Sequence, residues 1–428
     1  VVATLAATSL ALGACGGDSG DGGDNGGDGD TTVSIWTSVD APVMQGLEAA
    51  TAELAADSGI TIEWEKVENI NQLIMTKLGA ADAPDIAMIP QPGVVADLAS
   101  RDGIYPLDDV LDLAALESTM VPGTLESGTV DGSLYGLLVS MNVKGLVWYN
   151  KPAWTEAGYP TEIATIDELK DLTEQIKADG NTPWCMGIES DTATGWPATD
   201  WFEVLVAKYG GAETYRQWVD NEVPFDSDVV REAAGTFEEL LFTEGNSLGG
   251  RTAIASTNFG TAGNPMFAED SPQCWMYKQG SFITGFFPDA TKSDLDANVG
   301  LFGFPPAEAG GENPVVGGGD LAVMLNEDEA TKTAMQILAD PTVGNEAAPI
   351  SSFISPHKTF DMALYPNEVT RAVAQVAYDS TAFLFDGSDQ MPGEVGAGSF
   401  WSEMTSWISG GQDLDTTLSN IDASWPTQ

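Results

Sequence analysis

The side chains able to do chemistry in this 428-residue chain are few in kind: three cysteines, one histidine and a large excess of carboxylates. Cys15 closes the run Leu12-Gly13-Ala14-Cys15. An apolar stretch that ends in small residues before a cysteine and turns at once to Gly16, Gly17 and Asp18 has the form of a lipoprotein signal, so cleavage before Cys15 and lipidation of its thiol are expected. Val1 to Ala14 falls short of the roughly 20 residues a bilayer core demands, which argues against a membrane-spanning helix. No positively charged segment precedes the run, and one is expected ahead of Val1. Only Cys185 and Cys274 then remain, and outside the cytoplasm an even pair reads as a disulfide. One histidine and two distant cysteines do not make a zinc set, so neither a metal nor a cofactor is expected. His357 follows Pro356 in a loop and has no triad partner in view, which makes it structural rather than catalytic. Sixty-five Asp and Glu guarantee some pair at glycosidase separation by number alone, so abundance selects no catalytic pair.

The same carboxylates bound the choice of partner. Against 16 Lys and Arg they leave a formal charge of −49, which repels phosphate backbones and anionic lipid and excludes nucleic acid. Residues 16–30 hold eight Gly, five Asp, one Ser and one Asn; such a segment builds no core and reads as a tether with a reach of roughly 20 Å. Its aspartates lack the ligand spacing of a calcium loop. Some four hundred residues follow, 43% of the chain being apolar, which suits two α/β lobes.

The elements that would position a site alternate in the first third. Strands are predicted at Thr32–Thr37, Ile60–Val67 and Asp85–Ile89. Helices are predicted from Asp40-Ala41-Pro42 to Asp57, at Gln72–Leu78 and at Pro92–Ser100, giving a βαβαβ lobe. In such sheets ligands sit beyond the carboxyl ends of the strands, which points to Ser38, Asp40 and Gln91. Asp40 also has the chemistry of a helix cap, which uses the same oxygens. Leu134–Ser140 and Lys144–Tyr149 read as extended segments crossing between lobes. Thr165-Ile166-Asp167-Glu168 is a capping box opening a helix to Ala178, and a strand is expected at Cys185–Glu189. A buried strand at Leu321–Leu325, a helix at Glu327–Leu338 and amphipathic segments at Glu368–Tyr378, Phe400–Ile408 and Leu414–Ile421 complete the pattern.

Taken in order, Ser34-Ile35-Trp36-Thr37, Ala83-Pro84-Asp85-Ile86-Ala87, the stretch Asp131 to Lys151, Gly317-Gly318-Gly319-Asp320-Leu321-Ala322-Val323 and Gly398-Ser399-Phe400-Trp401 resemble the extracellular solute-binding proteins of bacterial ABC importers. The likeness is to their carbohydrate-binding family, which includes maltose-binding protein. Thr182-Pro183-Trp184-Cys185 and the run Gly195 to Trp201 are similar to the branch that binds α-glucosides. The resemblance implies a two-lobed α/β fold with a hinge of crossing segments and a ligand cleft between the lobes. The lobes it implies are 31–141 with 318–365 and 142–317 with 366–428. It implies a monomer that captures an oligosaccharide at the extracytoplasmic face of the membrane, held there by lipid alone, and hands it to a permease.

Sugars present apolar ring faces edged by hydroxyls, so their sites need flat aromatics and fixed polar groups; 12 Trp, 16 Phe and 9 Tyr are available. Carried over position by position, the resemblance assigns Asp40, Gln91 and Asn142 to hydroxyls and Trp196, Phe282 and Trp401 to ring faces. It assigns Gly318, Gly319 and Asp320 to the return crossing, where glycine admits close backbone approach and Asp320 either binds ligand or braces the hinge. Trp275, beside Cys274, is expected in the core. The competing classes are a surface glycosidase and a carbohydrate adhesin.

Overall fold

A computed structural model describes residues 31–426; Cys15 and the tether 16–30 lie outside the described residues. Its strands are β1 (Thr31–Thr37), β2 (Ile60–Lys66), β3 (Ile86–Ile89), β4 (Thr129–Val130), β5 (Ser133–Leu134), β6 (Gly136–Val143), β7 (Leu146–Asn150), β8 (Met276–Gln279), β9 (Val299–Gly303), β10 (Val315–Met324) and β11 (Phe383–Phe385). β1 runs parallel to both β2 and β3. The helices Ala41–Leu54 and Ile70–Lys77 connect them, as the alternation in the first third predicts. β3 is buried at all four positions, since helices cover both faces of a parallel sheet and leave no polar side.

β10 closes this sheet antiparallel to β3 and along β6, and its first residues pair in parallel with β11. It starts six residues before the predicted Leu321, because Val315 to Asp320 are also paired. The Gly317-Gly318-Gly319 run, whose last two residues are expected in the return crossing ahead of the predicted strand, is here part of that strand. A Cβ on Gly317 would stand 2.2 Å from the Asn142 carbonyl oxygen, and one on Gly319 2.0 Å from that of Ser140. The missing side chains of Gly317 and Gly319 let β6 and β10 lie against each other.

The second lobe is built on the antiparallel sheet β8-β7-β9, and the chain passes into it through Val143-Lys144-Gly145, between β6 and β7. Its central element is the helical segment Trp196–Val219, kinked at Gly211 (φ 73°) and buried at every position from Pro197 to Lys208. A helix enclosed on all sides carries no 3.6-residue polar period, so its extent is invisible to pattern reading. Its own Trp201 and Phe202 meet Phe237 and Trp407 from neighbouring helices through edge-on ring contacts, and those two rings meet each other at a tilt. The expected strand at Cys185–Glu189 does not form. The N–H groups of Cys185, Ile188 and Glu189 go to carbonyls on two separate segments, at Met276 and at Ile254 and Thr257, leaving only isolated bridges at Trp184 and Glu189. Cys185 and Cys274 are joined, with Cα atoms 5.3 Å apart, and Trp275 is buried against Trp154 and Tyr159. His357 is also buried, its Nδ1 3.0 Å from the Thr119 hydroxyl. Among the described residues no helix is long and apolar enough to cross a membrane.

Candidate functional site

Antiparallel pairing determines where the site falls. Leu321 of β10 lies opposite Ile89, the last residue of β3, so Gly319 and Asp320 stand just beyond the carboxyl end of the parallel strands. β6 brings Ser140, Met141 and Asn142 alongside them, and the loop after β1 brings Ser38 and Asp40. The β6–β10 ladder slips between Asp320 and Leu321, leaving Val139 without a partner; a bulge of this kind re-aims the side chains beside it. From the second lobe, Ser281 and Phe282 complete a cavity of about 250 Å³. Six of the nine sequence-selected residues therefore line one hollow between the lobes: Ser38, Asp40, Asn142, Phe282, Gly319 and Asp320.

The polar groups here are only partly engaged by the protein. Asp40 occupies the cap position of the helix Ala41–Leu54, yet its side chain makes no capping hydrogen bond, and the residue is exposed. The Asp320 carboxylate accepts from the Ser140 hydroxyl at 2.8 Å, while burial, with the Asp40 charge adding to it, pushes the carboxyl up to about 6. Asn142 Oδ1 is buried with no hydrogen-bond partner in the protein. A buried acceptor left open at a cavity wall is an arrangement that a ligand hydroxyl or a water relieves.

The aromatic candidates divide. Phe282 lies 5.8 Å from Trp196, and Trp196 is 4.8 Å from Phe259, edge to face, so Phe282 and Trp196 extend one aromatic wall from the cavity into the second lobe. Both are half-buried. Trp401 does not line the cavity: its backbone packs against Gly195, where a Cβ would meet the Trp401 carbonyl oxygen at 2.4 Å, and its indole N–H is buried without a partner. Gln91 stands apart as well. Its amide accepts from Asn71 at 2.7 Å and donates to Asp389 at 3.0 Å, so both ends are engaged within the protein. A larger hollow of about 700 Å³, lined by Lys170, Tyr209 and Glu312, contains none of the expected residues.

Sequence reasoning missed a buried charge cluster behind the aromatic wall. Lys144, in the turn between β6 and β7, pairs with Asp200 and Asp386, and its ammonium lies 5.6 Å from the Trp196 ring. Burial alone would lower this amine, but Asp200, Asp386, Asp389 and Glu203 reverse that and hold it well above the ordinary lysine range. Burial pushes Asp200 up to about 6 despite Lys144 and raises Glu203 strongly, with Asp386 and Asp200 adding to it. Burial would also raise Asp386, but Lys144 and the Ser388 hydroxyl outweigh it and bring the carboxyl below the usual range. Oxygens of Asp200, Glu203 and Asp386 converge within 4.8 Å, and the lysine places a cation among them. Nothing in the spacing 144, 200, 203, 386 announces the cluster, because it is assembled from three distant segments.

A sheet with its ligand crevice at the strand ends, a second lobe facing it and a hollow between them define a two-lobed binding protein. The chain belongs to the bacterial extracellular solute-binding protein family, whose model matches residues 40–339. It is similar to the osmoprotective compounds-binding protein GgtB of Synechocystis sp. (36% identical, covering 89% of each chain). It is also similar to the alpha-glucosides-binding periplasmic protein AglE of Rhizobium meliloti (35% identical, 91% of this chain and 85% of that one). In fold it matches the sugar-binding protein MalE from Xanthomonas citri, with a TM-score of 0.71 at 16% identity over 92% of this chain and 96% of that one.

Proposed function

We propose that this protein is the sugar receptor of an ABC importer, capturing an oligosaccharide, an α-glucoside in particular, and delivering it to a membrane permease. The similarity to AglE over 91% of the chain, together with a cleft whose open carboxylates and aromatic wall suit sugar hydroxyls and ring faces, supports this. Closure of the lobes 31–141 with 318–365 onto 142–317 with 366–428 would enclose the ligand. Ser38, Asp40, Asn142 and Asp320 take the hydroxyls, Gly319 admits the ring edge, and Phe282 and Trp196 take the faces. Gln91 and Trp401 join only if closure brings them in. The protein acts as a monomer without metal or cofactor, tethered by lipid on Cys15 at the outer face of the cell membrane.

Calorimetry with maltose, trehalose, sucrose and longer α-glucans tests the proposal. The expected result is one-to-one binding, with the sugar recovered unchanged. Shortened sugar would make the protein a glycosidase, and no affinity for any small sugar would favour an adhesin.

A further inference from the structure

The charged groups lining the cleft are both carboxylates, Asp40 and Asp320, with no lysine or arginine beside them. Two buried lysines behind the aromatic wall are committed elsewhere. Lys144 is paired with Asp200 and Asp386, and Lys278 donates to the Asp200 carbonyl oxygen at 2.8 Å. One feature favours an anion: the helix Ala41–Leu54 begins at the cleft, and helix N-termini attract negative charge. Here Asp40 stands at that N-terminus and supplies the negative charge itself, while Pro42 removes one of the free N–H groups. The remaining polar side chains of the lining, Ser38, Ser140, Asn142, Ser281 and Ser352, are neutral and pair equally well with hydroxyls. Like charges repel at short range, the more so where one of them is buried as Asp320 is, and an anionic ligand here would meet two carboxylates without a compensating guanidinium or ammonium.

We propose that Asp40 and Asp320 make the cleft a charge filter, admitting neutral glycosides and those bearing a protonated amine while rejecting sugars that carry a carboxylate or phosphate. This deepens the sugar-receptor proposal and rests on it. The filter acts through the field of two carboxylates rather than through one hydrogen bond, so it does not require the ligand's charge to sit on a particular hydroxyl position.

The test is calorimetry at pH 7.5 and low salt with trehalose and maltose, each also as its C6-amine and C6-carboxylate derivative. A neutral disaccharide should bind, its carboxylate should bind at least tenfold more weakly, and its amine at least as tightly. A carboxylate less than tenfold weaker than its parent, or an amine weaker than the carboxylate, overturns the filter and leaves the sugar receptor standing. Failure of all six compounds to bind removes both proposals. The folded double variant Asp40→Asn, Asp320→Asn should bring carboxylate and neutral sugar within threefold of each other. An undiminished gap in that variant would show that these two residues do not set it.

Discussion

Phe282 and Trp401 separate binding from packing at the scale of single residues. Phe282 lines the cleft and is half-buried. Phe282→Ala should therefore weaken sugar binding by about 1 to 3 kcal/mol, roughly five- to a hundred-fold, through lost stacking and apolar contact, with little change in ligand-free melting temperature. Trp401 packs against Gly195, at the start of the buried helix, so Trp401→Ala should lower ligand-free stability as well. Calorimetric affinity and ligand-free melting, measured on both variants, check this; a Phe282→Ala protein with wild-type affinity and a lowered melting temperature would return that ring to the core.

His357 offers a second residue-scale test. Burial lowers its pKa to about 4 from an ordinary value near 6.5, so the folded protein favours the neutral ring and the unfolded chain takes the proton first. The stability this contributes is whole above about pH 6.5 and declines as the pH falls toward 4. Between pH 7 and 4 the wild type should lose on the order of 1 to 3 kcal/mol more than His357→Gln, read from paired denaturation curves. Equal losses in the two proteins would contradict it.

At the scale of elements, the crossing strands decide the site. β10 runs through the first lobe's sheet and along β6, and its glycines are placed unequally. Gly317 meets backbone at 2.2 Å from an added Cβ, whereas the nearest atoms at Gly318 are those of the Asn142 amide, 3.4 Å away. Gly317→Ala should therefore destabilise by about 1 to 3 kcal/mol, as overpacking against a rigid neighbour does, while Gly318→Ala folds normally. Thermal melting of the two variants tests the contrast, and equal melting temperatures would mean that β6 and β10 have room to separate. These strands were half legible in sequence. The apolar runs near Leu134–Ser140 and Leu321–Leu325 have a strand's composition, but three consecutive glycines have none, and only pairing with β6 makes them a strand.

For the whole molecule, the proposed lipid attachment can be tested apart from the proposed capture of sugar. Cys15→Ser should release the protein from the membrane fraction, because lipid requires the thiol and a Gly/Asp segment has no membrane affinity of its own. Fractionation with a high-salt wash measures it; a serine variant that stays with the membrane would defeat the tether proposal. The −49 charge belongs to this scale too, since it keeps the molecule off anionic surfaces and biases the cleft against anionic ligands.

What the sequence determined by itself is whatever short-range chemistry encodes. The alternation of β1, β2 and β3 with their helices follows from local period and punctuation. The Thr165 box is local as well: the Thr165 hydroxyl accepts from the Glu168 N–H at 3.2 Å, and Glu168 reaches back to the Ala164 N–H. Oxidising chemistry outside the cytoplasm was enough to pair Cys185 with Cys274. The tertiary structure decided what depends on distant segments meeting. It turned Gln91 to Asn71 and Asp389, left the Asp40 carboxylate open at a cap position, and gathered Lys144, Asp200, Glu203 and Asp386 in one buried cluster. The physical reason is common to these cases. A polar side chain satisfies its hydrogen bonds and charge with whichever partners the fold brings within about 3 Å, and residues such as 91 and 389 become neighbours only after the sheet and the crossings have formed.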